Sequence, residues 1–200
     1  MSKPTQDPRI GVYVCHCGLN IAQSVDCGRV ARTVENEDGV VVSKDIVYAC
    51  SEPGQQQIKQ DIIDNGLDRV VIASCSPRLH EPTFKKMIDE VGLNPYMLDM
   101  ANLREQCSWV HMNDRDGATL KAETLVNMAI SRVRHLEPLH EETLPLTPKT
   151  LVIGGGVAGI QAALDLADSG YDVTLVEKSP SVGGIMAQID KTFPTMDCSI

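Results

Sequence analysis

The chain has 200 residues, 42% of them apolar and only 4% aromatic, with a formal net charge of -9. The negative balance and the lack of any basic run exclude an ordinary nucleic-acid surface, and no apolar run reaches the roughly 18 residues of a membrane span. Seven cysteines, with no apolar leader in the opening MSKPTQDPRI, point to metal, cluster or redox chemistry in a reducing cytoplasmic setting rather than to disulfides.

In chain order, short apolar runs predict strands at 10–14, 45–49, 69–73 and 95–98. Helical spacing predicts helices at 26–35, 55–65, 81–91 and 117–136. In the last of these Leu120, Leu125, Met128, Ala129, Val133 and Leu136 recur on one face. Strands alternating with helices predict an α/β domain with a parallel sheet over residues 1–136. The segments IVYACSEPG and VVIASCSPR echo one another, each running from an apolar strand to Cys, Ser and Pro before a helix. A linker follows at 137–149, with Pro138, Pro145 and Pro148 and no periodicity. Residues 150–200 then read as the first βαβ unit of a Rossmann-type domain.

On this scaffold Cys15 and Cys17 follow the first strand, Cys50 the second and Cys75 the third, while Cys107 lies in the loop after the fourth. In a parallel sheet all five fall at the carboxyl edge, where α/β proteins hold their ligands. Four thiolates suffice for a [4Fe–4S] cluster. Zinc suits the same residues, as four thiolates or as three with His16, His80 or His111. Free cysteines are also ordinary small core residues, and Cys27, at a helix start, is expected only to pack.

The stretch LVIGGGVAGIQAALDLADSGYDVTLVEKSPSVGG carries the clearest chemistry. Gly154 permits the turn out of the strand, Gly156 lets the backbone approach a pyrophosphate, and Gly159 lets helix and strand pack closely. The backbone of Val157 and Ala158 opens a helix whose free N–H groups attract phosphate. Glu177, with Lys178 beside it, ends the second strand where ribose hydroxyls are bound, and its carboxylate disfavours NADP. The pair Gly183-Gly184 makes the unit resemble flavoproteins with two dinucleotide-binding halves, such as thioredoxin reductase, which implies FAD.

VCHCGLN at 14–20, YACSEPGQ at 48–55, VVIASCSPRLHEPTF at 70–84, ANLREQCSWVH at 101–111 and MAQIDKTFPTMDCSI at the end resemble the A-type subunits of heterodisulfide reductase. The resemblance implies an oxidoreductase subunit with FAD and iron–sulfur clusters, working in the flavin-based electron-bifurcating complex of an anaerobe. It implies further partners: the other reductase subunits and an electron-donating hydrogenase, formate dehydrogenase or NADH-oxidising module. That family is much longer, so the chain is expected to hold only the ADP side of a flavin site. In the family the segment around Cys198 continues as Cys-x-x-Cys, a second cluster site. An end inside that motif is expected if a UGA codon for selenocysteine was read as a stop; a fragment is the competing explanation. Two other readings stand beside this one. One is a non-catalytic α/β docking module with structural or zinc-bound cysteines. The other is a simple pyridine-nucleotide oxidoreductase, disfavoured because a second dinucleotide-binding half is missing.

Overall fold

A computed structural model describes residues 7–198, so Ser199 and Ile200, in the expected second cluster motif, lie outside it. The chain divides into two compact units, one up to His140 and one from Glu141.

The first unit is built on four parallel strands, β1 (Ile10–Cys15), β2 (Val40–Ile46), β3 (Arg69–Ser74) and β4 (Leu98–Asn102), in the order β2-β1-β3-β4. The two inner strands, IGVYVC and RVVIAS, are buried at every position. That is the pattern of parallel strands covered on both faces. Helix α1 (Leu19–Ala22) and helix α2 (Cys27–Val34) follow β1, and α3 (Glu52–Asn65) follows β2. Helix α4 (Pro77–Asp89) follows β3, and α5 (Arg115–Val133) follows β4 after a π-helical turn at Arg104–Ser108.

The alternation of a strand divides the core in two. Ile10, Val12 and Val14 of β1 face α2 and α5, where they meet Val30, Val34, Ala122, Val126 and Ile130. Tyr13 and Cys15 face the other way, with Ile58, Ile62, Phe84 and Ile88 of α3 and α4. Helix starts are specified locally. Asp26 accepts from the Arg29 N–H, Ser51 from the Gly54 N–H and Asp114 from the Gly117 N–H. Gly66 ends α3 in the left-handed conformation, at φ 56°.

Two strands lie elsewhere than the sequence suggests. The second begins at Val40 instead of 45, directly after Gly39 at φ 78°, and lies at the sheet edge. Its polar residues find partners off the ladder: Ser43 Oγ donates to Ala31 O, and Lys44 Nζ bonds Asp61 at 2.7 Å. Residues 47–49 leave the sheet instead, burying Ala49 and exposing Val47 and Tyr48. The fourth begins at Leu98, opposite Val70. Before it, Pro95 has no N–H to give, and the Asn94 side chain takes the Tyr96 N–H in a local turn.

The second unit pairs β5 (Lys149–Ile153) in parallel with β6 (Asp172–Val176) through α6 (Val157–Asp168). A 3₁₀ turn at Met186–Gln188 and the short antiparallel pair β7 (Lys191–Thr192) and β8 (Asp197–Cys198) follow. No helix among the described residues is long and apolar enough to cross a membrane.

Candidate functional site

The strand order places a topological switch point between β1 and β3. From β1 the chain first moves outward to β2, then returns to the other side for β3 and β4. Outside the carboxyl ends of such neighbouring strands lies the crevice where α/β folds bind ligands. Cys15 and Cys17 stand at the end of β1 on one side of this crevice, and Cys75 follows β3 on the other. Cys50, after the turn that ends β2, stands beside them at the start of α3. The echo noticed in the sequence is structural: Cys50 and Cys75 each sit one residue before the N-cap serine of a helix, Ser51 and Ser76.

These four thiols share an electrostatic neighbourhood. The Cys15 thiol is pushed up by burial, opposed by the N–H groups of Ala49 and Cys17, and is influenced by Cys17 and Cys50. Burial pushes Cys75 up to about 11; Arg104 works against this, while Cys17, Cys50 and Cys15 add to it. The Cys17 and Ala49 N–H groups donate to Cys15 Sγ at 3.3 and 3.4 Å. Backbone donors aimed at a cysteine sulfur suit a thiolate or a cluster-bound sulfur better than a neutral thiol.

Cys107 is not brought into this group. It lies in the π-helical turn with its side chain fully buried in the core between sheet, α2 and α5, and its Sγ donates to Ala118 O at 3.1 Å. Cys27 is buried in the same core, and burial pushes its thiol up to about 12. Cys198 is exposed on β8 in the second unit. The histidines weighed as zinc ligands have other neighbours. His16 Nε2 bonds Asp45 at 2.8 Å, His111 lies by Lys121 Nζ, and His80 tilts against Phe84. Among the described residues no three His, Cys, Asp or Glu side chains converge on a single-ion site.

Sequence reasoning missed the charged flank of the rim. Arg104 Nη1 lies 3.8 Å from Cys17 Sγ and its guanidinium stacks 4.9 Å from the Trp109 ring centre. The only signal was an Arg-Glu pair close to a cysteine in the loop after the fourth strand.

In the second unit the glycine loop has the shape its sequence implies. Gly154 turns at φ 103°, a conformation that favours glycine. A Cβ on Gly159 would fall 1.9 Å from Gly154 O, so helix and strand approach as closely as their backbones allow. No side chain caps α6 at Gly156, and a Cβ there would meet nothing within 4 Å. The N–H groups of Val157, Ala158 and Gly159 thus lie at the positive end of the helix dipole, with Gly183 bridged to Gly156 beside them. Gly183 folds back to donate to Gly155 O at 2.6 Å, and a Cβ on Gly184 would sit 3.0 Å from the Gly156 Cα. The Gly183-Gly184 pair therefore forms the second wall of the loop.

Glu177 lies one residue beyond β6. Its carboxylate accepts from the Ser179 N–H at 2.8 Å and the Gly155 N–H at 2.7 Å, which hold it below the usual carboxylate range. Two oxygens so placed retain lone pairs for ribose hydroxyls. A group depressed in the folded state contributes above its unfolded pKa and loses that contribution as pH falls through the folded value. An NMR titration should therefore find Glu177 ionised below the range of a free glutamate, with the Gly155 amide shifting as it protonates. In Glu177→Gln that amide should no longer titrate.

A glycine-lined βαβ loop, a free helix N-terminus and an acid after the second strand define a dinucleotide-binding flavoprotein unit, and residues 150–193 match the family described as FAD dependent oxidoreductase. The chain is 60% identical over 195 residues to the second iron-sulfur A-type subunit of the CoB–CoM heterodisulfide reductase of Methanopyrus kandleri, a match covering 98% of this chain and 30% of that protein. It is 58% identical to the A-type subunit of the H2:CoB–CoM heterodisulfide, ferredoxin reductase of Methanothermobacter thermautotrophicus, with the same two coverages. To a protein of Archaeoglobus profundus that is itself described as like the heterodisulfide reductase A-type subunit it is 52% identical, over 97% of this chain and 28% of that one. Over the stretch it shares with them, the chain belongs to the family of heterodisulfide reductase A-type subunits. It spans about 30% of the length of these relatives.

Proposed function

We propose that the chain is the electron-transfer portion of a heterodisulfide reductase-like oxidoreductase, holding a [4Fe–4S] cluster at Cys15, Cys17, Cys50 and Cys75 and the ADP side of FAD at the glycine loop. The observation that carries this reading is that four cysteines follow the carboxyl ends of three neighbouring strands beside the switch point. The bound groups would supply one- and two-electron redox chemistry. The chain's own part is to position them. Backbone N–H groups of Cys17 and Ala49 stabilise charge on the Cys15 sulfur. The N–H groups of Val157, Ala158 and Gly159 meet the pyrophosphate, and Gly156 keeps the approach clear. Glu177 holds the ribose, with Lys178 at its side and Gly183-Gly184 closing the loop. In the whole protein this portion would serve an electron-bifurcating complex of an anaerobe, in the cytoplasm, with other reductase subunits and a hydrogenase, formate dehydrogenase or NADH-oxidising module as donor. Cys198 belongs to a second cluster site in this reading, and Cys107 to the core.

One observation favours a second reading, a docking module with structural or zinc-bound cysteines. Leu19, Val47, Tyr48, Leu79 and Trp109 are all exposed on the loops and first helical turns at the carboxyl edge of the sheet. Metal analysis separates the two. Anaerobically purified protein should contain iron and acid-labile sulfide, with broad visible absorbance bleached by dithionite. Stoichiometric zinc without iron would establish the rival.

A further inference from the structure

The charged flank of the thiol rim has a feature that core packing does not require. Arg104 is a fixed cation: its side chain is 19% exposed, and Nε and Nη2 both bond Glu105 Oε1, at 3.0 and 2.6 Å. Trp109 supports one face of the guanidinium, and the remaining terminal nitrogen, Nη1, points to Cys17 Sγ at 3.8 Å. An arginine needed only to hold the π-helical turn could spend its donors on carbonyl oxygens. This one directs its free nitrogen at a thiol.

We propose that Arg104 sets the reduction potential of the centre bound by the rim cysteines, with Glu105 as its counterweight. The inference rests on the cluster reading above. Reduction adds one electron to the centre, from a flavin in the protein or from dithionite in a titration. No bond forms or breaks, and the site gains one negative charge. A guanidinium locked beside Cys17 stabilises that charge without reorganising, because its donors are already oriented. The positive end of the pair is the one that reaches the thiols. Burial is the largest influence on Cys75, and Arg104 opposes it. Glu105 Oε2 is buried without a hydrogen-bond partner, so this carboxylate is held by the arginine on one oxygen only.

Arg104→Gln, Arg104→Lys and Glu105→Gln, made in the full-length protein and purified anaerobically, test this. Iron content is measured first, then the midpoint potential of the centre that is lost in Cys17→Ser, followed by EPR. Arg104→Gln should retain iron and make reduction about tenfold less favourable, about 59 mV for a one-electron couple. Arg104→Lys should restore most of the shift. Glu105→Gln should move the potential the opposite way, because it removes a negative charge. A merely structural pair predicts the same direction for both glutamine variants, since each breaks the same ion pair, and that result overturns the proposal. Unchanged potentials with full iron also overturn it while leaving the cluster reading intact. Wild-type protein without iron overturns both.

Discussion

Gly156→Val should strip the full-length protein of FAD while the βαβ unit still folds. The backbone at Gly156 is extended, at φ -76° and ψ -179°, which any residue adopts, and a Cβ there would meet no protein atom within 4 Å. The side chain would occupy the space that the pyrophosphate needs. The cost to the fold is that of a poorer helix cap, at most about 1 kcal/mol. The cost to binding should be about a hundredfold in affinity, or about 2.8 kcal/mol. Flavin content after gel filtration and the thermal midpoint read the two effects separately. Gly159→Ala is the contrasting control. Its Cβ would lie 1.9 Å from Gly154 O, so the backbone must move. That variant should lose stability by about 1–3 kcal/mol and flavin with it. Gly156→Val protein that keeps stoichiometric flavin would show that the glycine loop does not hold the pyrophosphate.

Serine at Cys15, Cys17, Cys50 or Cys75 should in each case abolish the iron bound by the first unit, a loss of about four irons per chain. Serine at Cys107 should leave it in place. The distinction comes from the sheet: the four follow the ends of neighbouring strands at its carboxyl edge, while Cys107 turns into the core and donates to Ala118 O. A serine hydroxyl at 107 can keep that hydrogen bond. Iron and sulfide analysis of the five variants decides the matter. Iron lost on Cys107→Ser with fold retained, or kept on Cys50→Ser, would reassign the ligands.

The glycine loop was legible because its chemistry is local. Turn, helix start and returning strand follow one another within a single βαβ unit, and each glycine answers to a contact inside it. The buried inner strands were legible for a similar reason, since IGVYVC and RVVIAS are apolar almost without interruption. The edge strand was not. Its Ser43 and Lys44 look like loop, and only the pairing of Val12 with Ser43 and of Tyr13 with Lys44 shows them to be strand.

By itself the sequence determined that this is an α/β chain with a flavin-type nucleotide loop and cysteines at strand ends. These follow from residue types and short spacings, which act through local backbone geometry. Which cysteines meet was decided only by the tertiary structure. Strand order sets which chain ends are neighbours, and the two-residue alternation of each strand sets which core a side chain enters. Neither is a local property. Hence Cys15, Cys17, Cys50 and Cys75, far apart in the chain, share one crevice with Arg104, and Cys107, only three residues from that arginine, does not.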